Sequence, residues 1–149
     1  MDLHAVIIHI LKIKHLNLGD DPVGLRYTLN VLYDRYHLPL LIVENGVGLD
    51  ENIDEKGEIH DDFRVHYIEE HLKNVNDAIE DGVDCRGYLY WGPIDVVSAG
   101  TGEMKKRYGF VYVDRFNDGH GTLERKLKDS YYRYKEIIES NGEVLLEDE

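Results

Sequence analysis

The segment Pro39–Gly48 constrains the fold more than any other stretch of the sequence. A proline opens a run of four apolar residues, 40–43, which predicts a short strand buried on both faces, as in a parallel sheet. Glu44 stands at the predicted exit of this strand, and Gly46 and Gly48 predict a tight, open turn after it. The carboxyl ends of parallel strands hold the ligands and chemistry of α/β proteins. Glu44 is therefore a candidate nucleophile, base or metal ligand, or else a solvated acid at a strand end.

The rest of the chain alternates helices with strands. Asp21 is a predicted N-cap with Pro22 at the first helical position. The patterns predict helices over 22–37, 62–80 and 122–140, a strand over 83–91, an alternating strand-like stretch over 107–114, and a surface loop over 49–61. Residues 3–16 suit a helix or a strand equally well. Two buried parallel strands need neighbours on both edges, so the pattern indicates an α/β fold that is a slice of a larger barrel.

Charge and cysteine content limit the partners and the compartment. The 149 residues carry a formal net charge of −13, which disfavours nucleic acid and anionic membrane surfaces as partners. The apolar segment Leu3–Leu18 contains lysines and histidines and is too short to span a bilayer. A single cysteine, Cys85, excludes an internal disulfide and fits a cytoplasmic location. The sequence has no metal-binding motif, and its eight histidines are scattered, so we expect neither a metal nor a cofactor.

Several strings of residues resemble one enzyme family. They are Ile-Val-Glu-Asn-Gly at 42–46, Asp-Pro-Val-Gly-Leu-Arg at 21–26, Trp-Gly-Pro-Ile-Asp at 91–95 and Gly-Glu-Met-Lys-Lys-Arg-Tyr-Gly-Phe at 102–110. Together they resemble family 1 glycoside hydrolases, and the last string resembles the bacterial 6-phospho-β-glucosidase branch. The resemblance covers residues 20–146 and implies a partial (β/α)8 TIM barrel. That part comprises strands 7 and 8 with their helices, plus a short β excursion.

The resemblance assigns a role to each matching residue. Glu44 matches the catalytic nucleophile, which forms a glycosyl-enzyme in a retaining mechanism. Trp91 matches the tryptophan that packs against the bound sugar. Ser98, Lys106 and Tyr108 match the hydroxyl, ammonium and phenol that bind the 6-phosphate of the substrate. The implied ligand is a β-glucoside phosphorylated at O6.

Two departures from the family pattern limit this expectation. The acid/base of the family lies in a Thr-x-Asn-Glu-Pro motif, and the 149 residues contain no Asn-Glu-Pro. Residues 1–19 do not resemble the family, so we divide the chain into a leading segment, 1–19, and a carboxy-terminal barrel part, 20–149. We therefore expect the chain to match the last third of a 6-phospho-β-glucosidase and to be inactive alone, because retaining hydrolysis needs two carboxyl groups.

Two other functions fit the same residues. The chain could be a non-catalytic module that binds a sugar phosphate. It could also be a self-assembling module, because unpaired strand edges favour association with another copy. We expect a homo-oligomer formed through exposed barrel edges, with the segment Val6–Ile13 in the place of a missing strand.

Overall fold

The computed structural model of the protein describes residues 6–13 and 21–146. Its elements are β1 (Val6–Ile13), α1 (Pro22–Tyr36), β2 (Leu40–Gly48), α2 (Asp62–Glu80), β3 (Cys85–Tyr90), β4 (Val111–Val113), β5 (Arg125–Leu127), α3 (Asp129–Glu139) and a 3₁₀ helix (Glu143–Leu145). No helix in this part of the chain is long and apolar enough to cross a bilayer.

Three parallel strands form the main sheet, in the order β1-β2-β3. For the leading segment, where helix and strand were both open, residues 6–13 form a strand that pairs with β2. The flanking residues 1–5 and 14–20 lie outside the described residues, and so does the expected boundary at 19/20. The crossovers from β1 to β2 and from β2 to β3 contain α1 and α2, as expected for βα units.

The first two helices have nearly the predicted bounds. The Asp21 side chain accepts a hydrogen bond from the Gly24 amide at 2.8 Å, and Pro22 is the first residue of α1. Helix α2 spans the predicted residues, and Gly82, with a φ of +102°, follows its end. Both helices pack on the sheet through one apolar core formed by Leu25, Leu29, Leu40, Ile42, Val75, Ala78 and Val83.

The predicted end of the β2 strand was wrong. The strand does not stop at Glu44 but continues to Gly48, because β1 pairs with it up to the pair Ile13–Gly48. Gly46 and Gly48 therefore lie in extended backbone, and neither has a positive φ. The two glycines do not form the predicted turn. Their small size instead allows aromatic residues to pack closely against β2, as described below.

The predicted third helix began too early. Helix α3 starts at Asp129, while Arg125–Leu127 form β5, which pairs antiparallel with β4. Of the strand-like stretch predicted over 107–114, only Val111–Val113 form this strand in the two-stranded sheet. The positive φ values of Gly121 and Leu123 are also incompatible with a helix at that point. Helix α3 packs on a second core formed by Val47, Leu49, Tyr67, Ile68, Phe110, Ile137 and Leu145.

Helices α1 and α2 are also joined by an exposed ion-pair cluster. The Arg26 guanidinium donates to Asp81 at 2.8 Å and to Asp77 at 2.9 Å, and Asn30 donates to Asp81 at 2.9 Å. The hydrogen bonds from Arg26 and then Asn30 lower the pKa of Asp81 to about 2. Because the pKa is depressed in the folded state, the stabilisation is present above the unfolded-state value of 3.8 and is lost as the pH falls toward 2.

We therefore predict that Asp81→Asn will flatten the acid limb of the stability profile. Urea unfolding of the parent and the variant at several pH values from about 5 to about 2 measures this slope. We expect the free energy of unfolding of the parent to fall more steeply than that of the variant over this range. Equal slopes for the two proteins would contradict the assignment. Arg26→Met serves as a second variant, because it removes the main donor and should flatten the same limb.

Candidate active site

An extra residue in β2 lies immediately before Glu44. On the β1 side, Ile8 is opposite Ile42 but the next residue, His9, is opposite Glu44, so Val43 has no partner in β1. The pairing with β3 is irregular over the same part of β2. One additional residue in a strand is a β-bulge, a feature that re-aims the side chains that follow it.

The bulge changes which positions of β2 face the helices. Before it, Leu40 and Ile42 are buried in the first core; after it, Val47 and Leu49 are buried in the second. The helix-facing positions thus change from even to odd residue numbers. Since side chains alternate along a strand, Glu44 belongs to the opposite face, together with Gly46 and Gly48. This face corresponds to the interior of a barrel of parallel strands.

The two glycines bring aromatic residues close to this strand. A Cβ atom at Gly46 would lie 3.3 Å from the Trp91 Cβ, and one at Gly48 would lie 2.8 Å from the Tyr108 ring. The Trp91 amide donates to the Asn45 carbonyl at 2.8 Å, which fixes the backbone after β3 against the residue next to Glu44. The structure therefore brings Trp91 and Tyr108 to β2 within four residues of Glu44.

Ser98 and Lys106 meet at a third residue, Glu103. The Ser98 amide donates to the Glu103 carbonyl at 3.0 Å, and the Lys106 Nζ lies 3.4 Å from the Glu103 Oε2. Ser98, Lys106 and Tyr108 are all buried. The Ser98 Oγ is also buried and has no hydrogen-bond partner in the described part of the chain. A buried hydroxyl without a partner is uncommon and marks a donor that a ligand could use.

Beneath these residues lies a buried charge network that the sequence analysis did not anticipate. Arg64, which is fully buried, donates to the carbonyls of Val47 at 2.7 Å and Tyr108 at 2.8 Å. It also donates to the carboxylates of Asp61 and Glu51. Arg64 thus links the end of β2 to the backbone that carries Tyr108. The remaining charged members, Lys128, Asp95 and Arg107, are buried and paired with one another or with Glu51.

Burial shifts the pKa values within this buried charge network. It raises the pKa of Glu51 and lowers that of Lys128, because each charged form loses hydration. The network also corrects the prediction of a surface loop over 49–61, since Glu51, Ile59 and Asp61 are buried. One signal in the sequence could have identified Arg64. It shares the buried face of α2 with Ile68, His71 and Val75, so a charge stands at a core position of the apolar stripe.

An exposed cluster offers potential metal ligands. The carboxylates of Asp54 and Glu58 and a ring nitrogen of His60 lie within 4.8 Å of one another. The other ring nitrogen, Nδ1, lies 2.6 Å from an Asp129 carboxylate oxygen. This hydrogen bond raises the pKa of His60, with the surrounding carboxylates adding to the effect. The imidazole thus already interacts with all three carboxylates, so the geometry of the cluster is explained by these contacts.

The chain matches known proteins in its sequence. The family model described as Glycosyl hydrolase family 1 matches residues 9–143. The chain is 58% identical over 125 residues to a 6-phospho-beta-glucosidase of Dickeya chrysanthemi, covering 84% of this chain and 27% of the relative. It is 57% identical over 127 residues to a phospho-cellobiase of Klebsiella oxytoca, covering 85% and 27%. The chain therefore spans about a quarter of the length of these relatives and matches their carboxy-terminal part.

The fold comparison gives the same result. A beta-glucosidase from Thermotoga maritima superposes with a TM-score of 0.78 at 32% identity, over 89% of this chain and 29% of that one. The parallel sheet with its helices is thus part of a TIM barrel, as the sequence predicted. The chain belongs to glycosyl hydrolase family 1.

Proposed function

We propose that this chain carries the nucleophile and the phosphate-binding residues of a retaining 6-phospho-β-glucosidase. The observation that carries the proposal is the grouping of Ser98 and Lys106 around Glu103, with a buried Ser98 hydroxyl that has no partner in the described residues. An ammonium and a hydroxyl are donors suited to a phosphate. The names of the relatives support a phosphorylated glucoside as the substrate class.

Glu44 is the nucleophile in this proposal. Its carboxylate attacks the anomeric carbon, the bond to the aglycone oxygen breaks, and a glycosyl ester forms on Glu44. Water then hydrolyses the ester, so the sugar leaves with retained configuration. Trp91 provides an apolar face for the sugar ring. The bulge at Val43 supports this role, because it sets Glu44 on the face of β2 that lies away from the helices.

Catalytic activity of the 149 residues alone would require a second carboxyl group besides Glu44. Protonation of the leaving group requires an acid/base about 5–5.5 Å from the nucleophile, and the sequence has no Asn-Glu-Pro to supply the acid/base of the family. We therefore propose that the isolated chain binds the sugar phosphate without turning over the glycoside. Assay with p-nitrophenyl β-glucoside 6-phosphate tests this, and release of p-nitrophenol above background would contradict it.

Calorimetry with glucose 6-phosphate tests the binding site itself. We predict that the parent binds this ligand and that Lys106→Ala weakens binding about tenfold or more, since the variant loses a charge-assisted hydrogen bond to the phosphate. Lys73→Ala is the control, because it removes a lysine from α2 without touching the Ser98–Lys106 grouping. Equal affinity of the parent and Lys106→Ala would count against a phosphate site at Lys106.

A further inference from the structure

Glu103 is placed between two lysines of different exposure. Its Oε2 lies 3.4 Å from the Nζ of Lys106, whose side chain is 9% exposed, and its Oε1 lies 3.3 Å from the Nζ of Lys105, which is 45% exposed. A hydrogen bond with the Thr101 side chain, together with the two lysines, lowers the pKa of Glu103. An ionised Glu103 therefore compensates an ammonium that has little water around it.

The backbone of Glu103 also closes the turn that carries Ser98. The Ser98 amide donates to the Glu103 carbonyl at 3.0 Å, and the Gly102 amide donates to the Ser98 carbonyl at 2.8 Å. Glu103 thus contacts both the serine and the lysine of the proposed phosphate site. A phosphate bound to Lys106 would come close to the Glu103 carboxylate, and like charges in one site repel each other.

We propose that Glu103 is an exchangeable counter-ion. In the ligand-free protein it pairs with Lys106. When the substrate phosphate binds to Lys106, the Glu103 carboxylate moves away from Lys106 and remains paired with Lys105. The inference rests on the proposed phosphate site. The geometry allows the exchange because the two lysines are bound by different oxygens of one carboxylate that is 31% exposed. Glu103 can turn toward solvent and Lys105 without leaving an unpaired buried charge.

The exchange has a consequence for specificity. A phosphate dianion brings more negative charge to Lys106 than the carboxylate it replaces, whereas a sugar carboxylate brings only the same charge. Competition between Glu103 and the ligand for Lys106 therefore weakens the binding of a uronic acid more than the binding of a 6-phosphate. Its removal should increase the affinity for both anions and reduce the preference for phosphate. Glu103 acts through Lys106 and is a specificity-determining residue, not a catalytic one.

Calorimetric titration of the parent, Glu103→Gln and Glu70→Gln with glucose 6-phosphate and with glucuronate tests the proposal. We expect Glu103→Gln to bind glucose 6-phosphate about fivefold more tightly or better, the lower end of typical coupling between two sites, and to gain by a larger factor for glucuronate. Glu70→Gln is the matched control, because Glu70 pairs with Lys73 at the same 3.4 Å and the same three-residue spacing as Glu103 with Lys106. We expect it to bind like the parent.

The outcomes separate this inference from the proposed function. Unchanged or weaker binding by Glu103→Gln, with a parent that binds and a Lys106→Ala variant that does not, overturns the exchange and leaves the phosphate site intact. No binding by either the parent or Glu103→Gln overturns the phosphate site and the exchange together. A gain in affinity cannot arise from structural damage, and thermal unfolding of each variant confirms that it is folded.

Discussion

Arg64→Met is expected to lower the free energy of unfolding by about 3–5 kcal/mol, the usual effect of removing one partner from a buried ion pair. The guanidinium is fully buried, and its loss leaves the carboxylates of Glu51 and Asp61 without their shared cation. It also removes the donors to the carbonyls of Val47, Tyr108 and Arg107. Methionine fills most of the volume, so the effect reports lost charge and hydrogen bonds more than a cavity.

Urea unfolding followed by circular dichroism measures this effect, and Arg26→Met is the matched control. Arg26 also pairs with two aspartates, but its side chain is 39% exposed. Exposed ion pairs contribute little, so we expect the control to lose far less stability than Arg64→Met. Equal losses for the two variants would contradict a special role for the buried network. Arg64→Lys should be intermediate, because a lysine keeps the charge but cannot supply the same planar set of donors.

Gly109→Ala is expected to destabilise the fold by about 3 kcal/mol, toward the upper end of overpacking effects. A Cβ atom at this position would lie 2.4 Å from both the Asp95 amide nitrogen and the Ile94 carbonyl carbon. These are backbone atoms, so no side-chain rotation relieves the clash. The Gly109 amide also donates to the Asp95 carboxylate at 2.9 Å, and a displaced backbone weakens that bond within the buried charge network.

Gly100→Ala provides the comparison for Gly109→Ala in thermal and urea unfolding. A Cβ at Gly100 meets nothing within 4 Å, and Gly100 is not among the glycines with positive φ. We expect its substitution to be neutral or stabilising by up to about 1 kcal/mol, since alanine restricts the unfolded chain. If Gly109→Ala were as well tolerated as Gly100→Ala, the close approach of the two backbones would not be present in solution.

The features that the sequence predicted well are local ones. Asp21 and Pro22 mark the start of α1 because a cap and a fixed φ act within one turn. The apolar stripe and Gly82 similarly delimit α2. The features that the sequence missed depend on distant partners. The extension of β2 to Gly48 requires β1, and the strand Arg125–Leu127 requires β4.

The candidate site likewise has local features that the sequence predicted and features from distant residues that it did not predict. The sequence alone indicated Glu44 as a candidate site residue, because a glutamate at the end of a buried strand, followed by glycines, is a local pattern. The network around Arg64 could not be predicted, because its members come from α2, from the loop after β2 and from Lys128, which lies 77 residues beyond Glu51. Charge pairing over such separations leaves no periodic pattern. The charged position on the apolar face of α2 was the one sign of it.

The extra residue at Val43 means that the face on which Glu44 lies cannot be read from residue numbers alone. In a regular strand Ile42 and Glu44 would share one face, because every second side chain points the same way. The bulge takes up Val43, so Ile42 and Glu44 are opposite two consecutive residues of β1, Ile8 and His9, and lie on opposite faces. A one-codon deletion of Val43 would therefore leave a regular strand with Glu44 and Asn45 still on their present faces, whereas loss of the bulge without that deletion would turn the glutamate toward the helices.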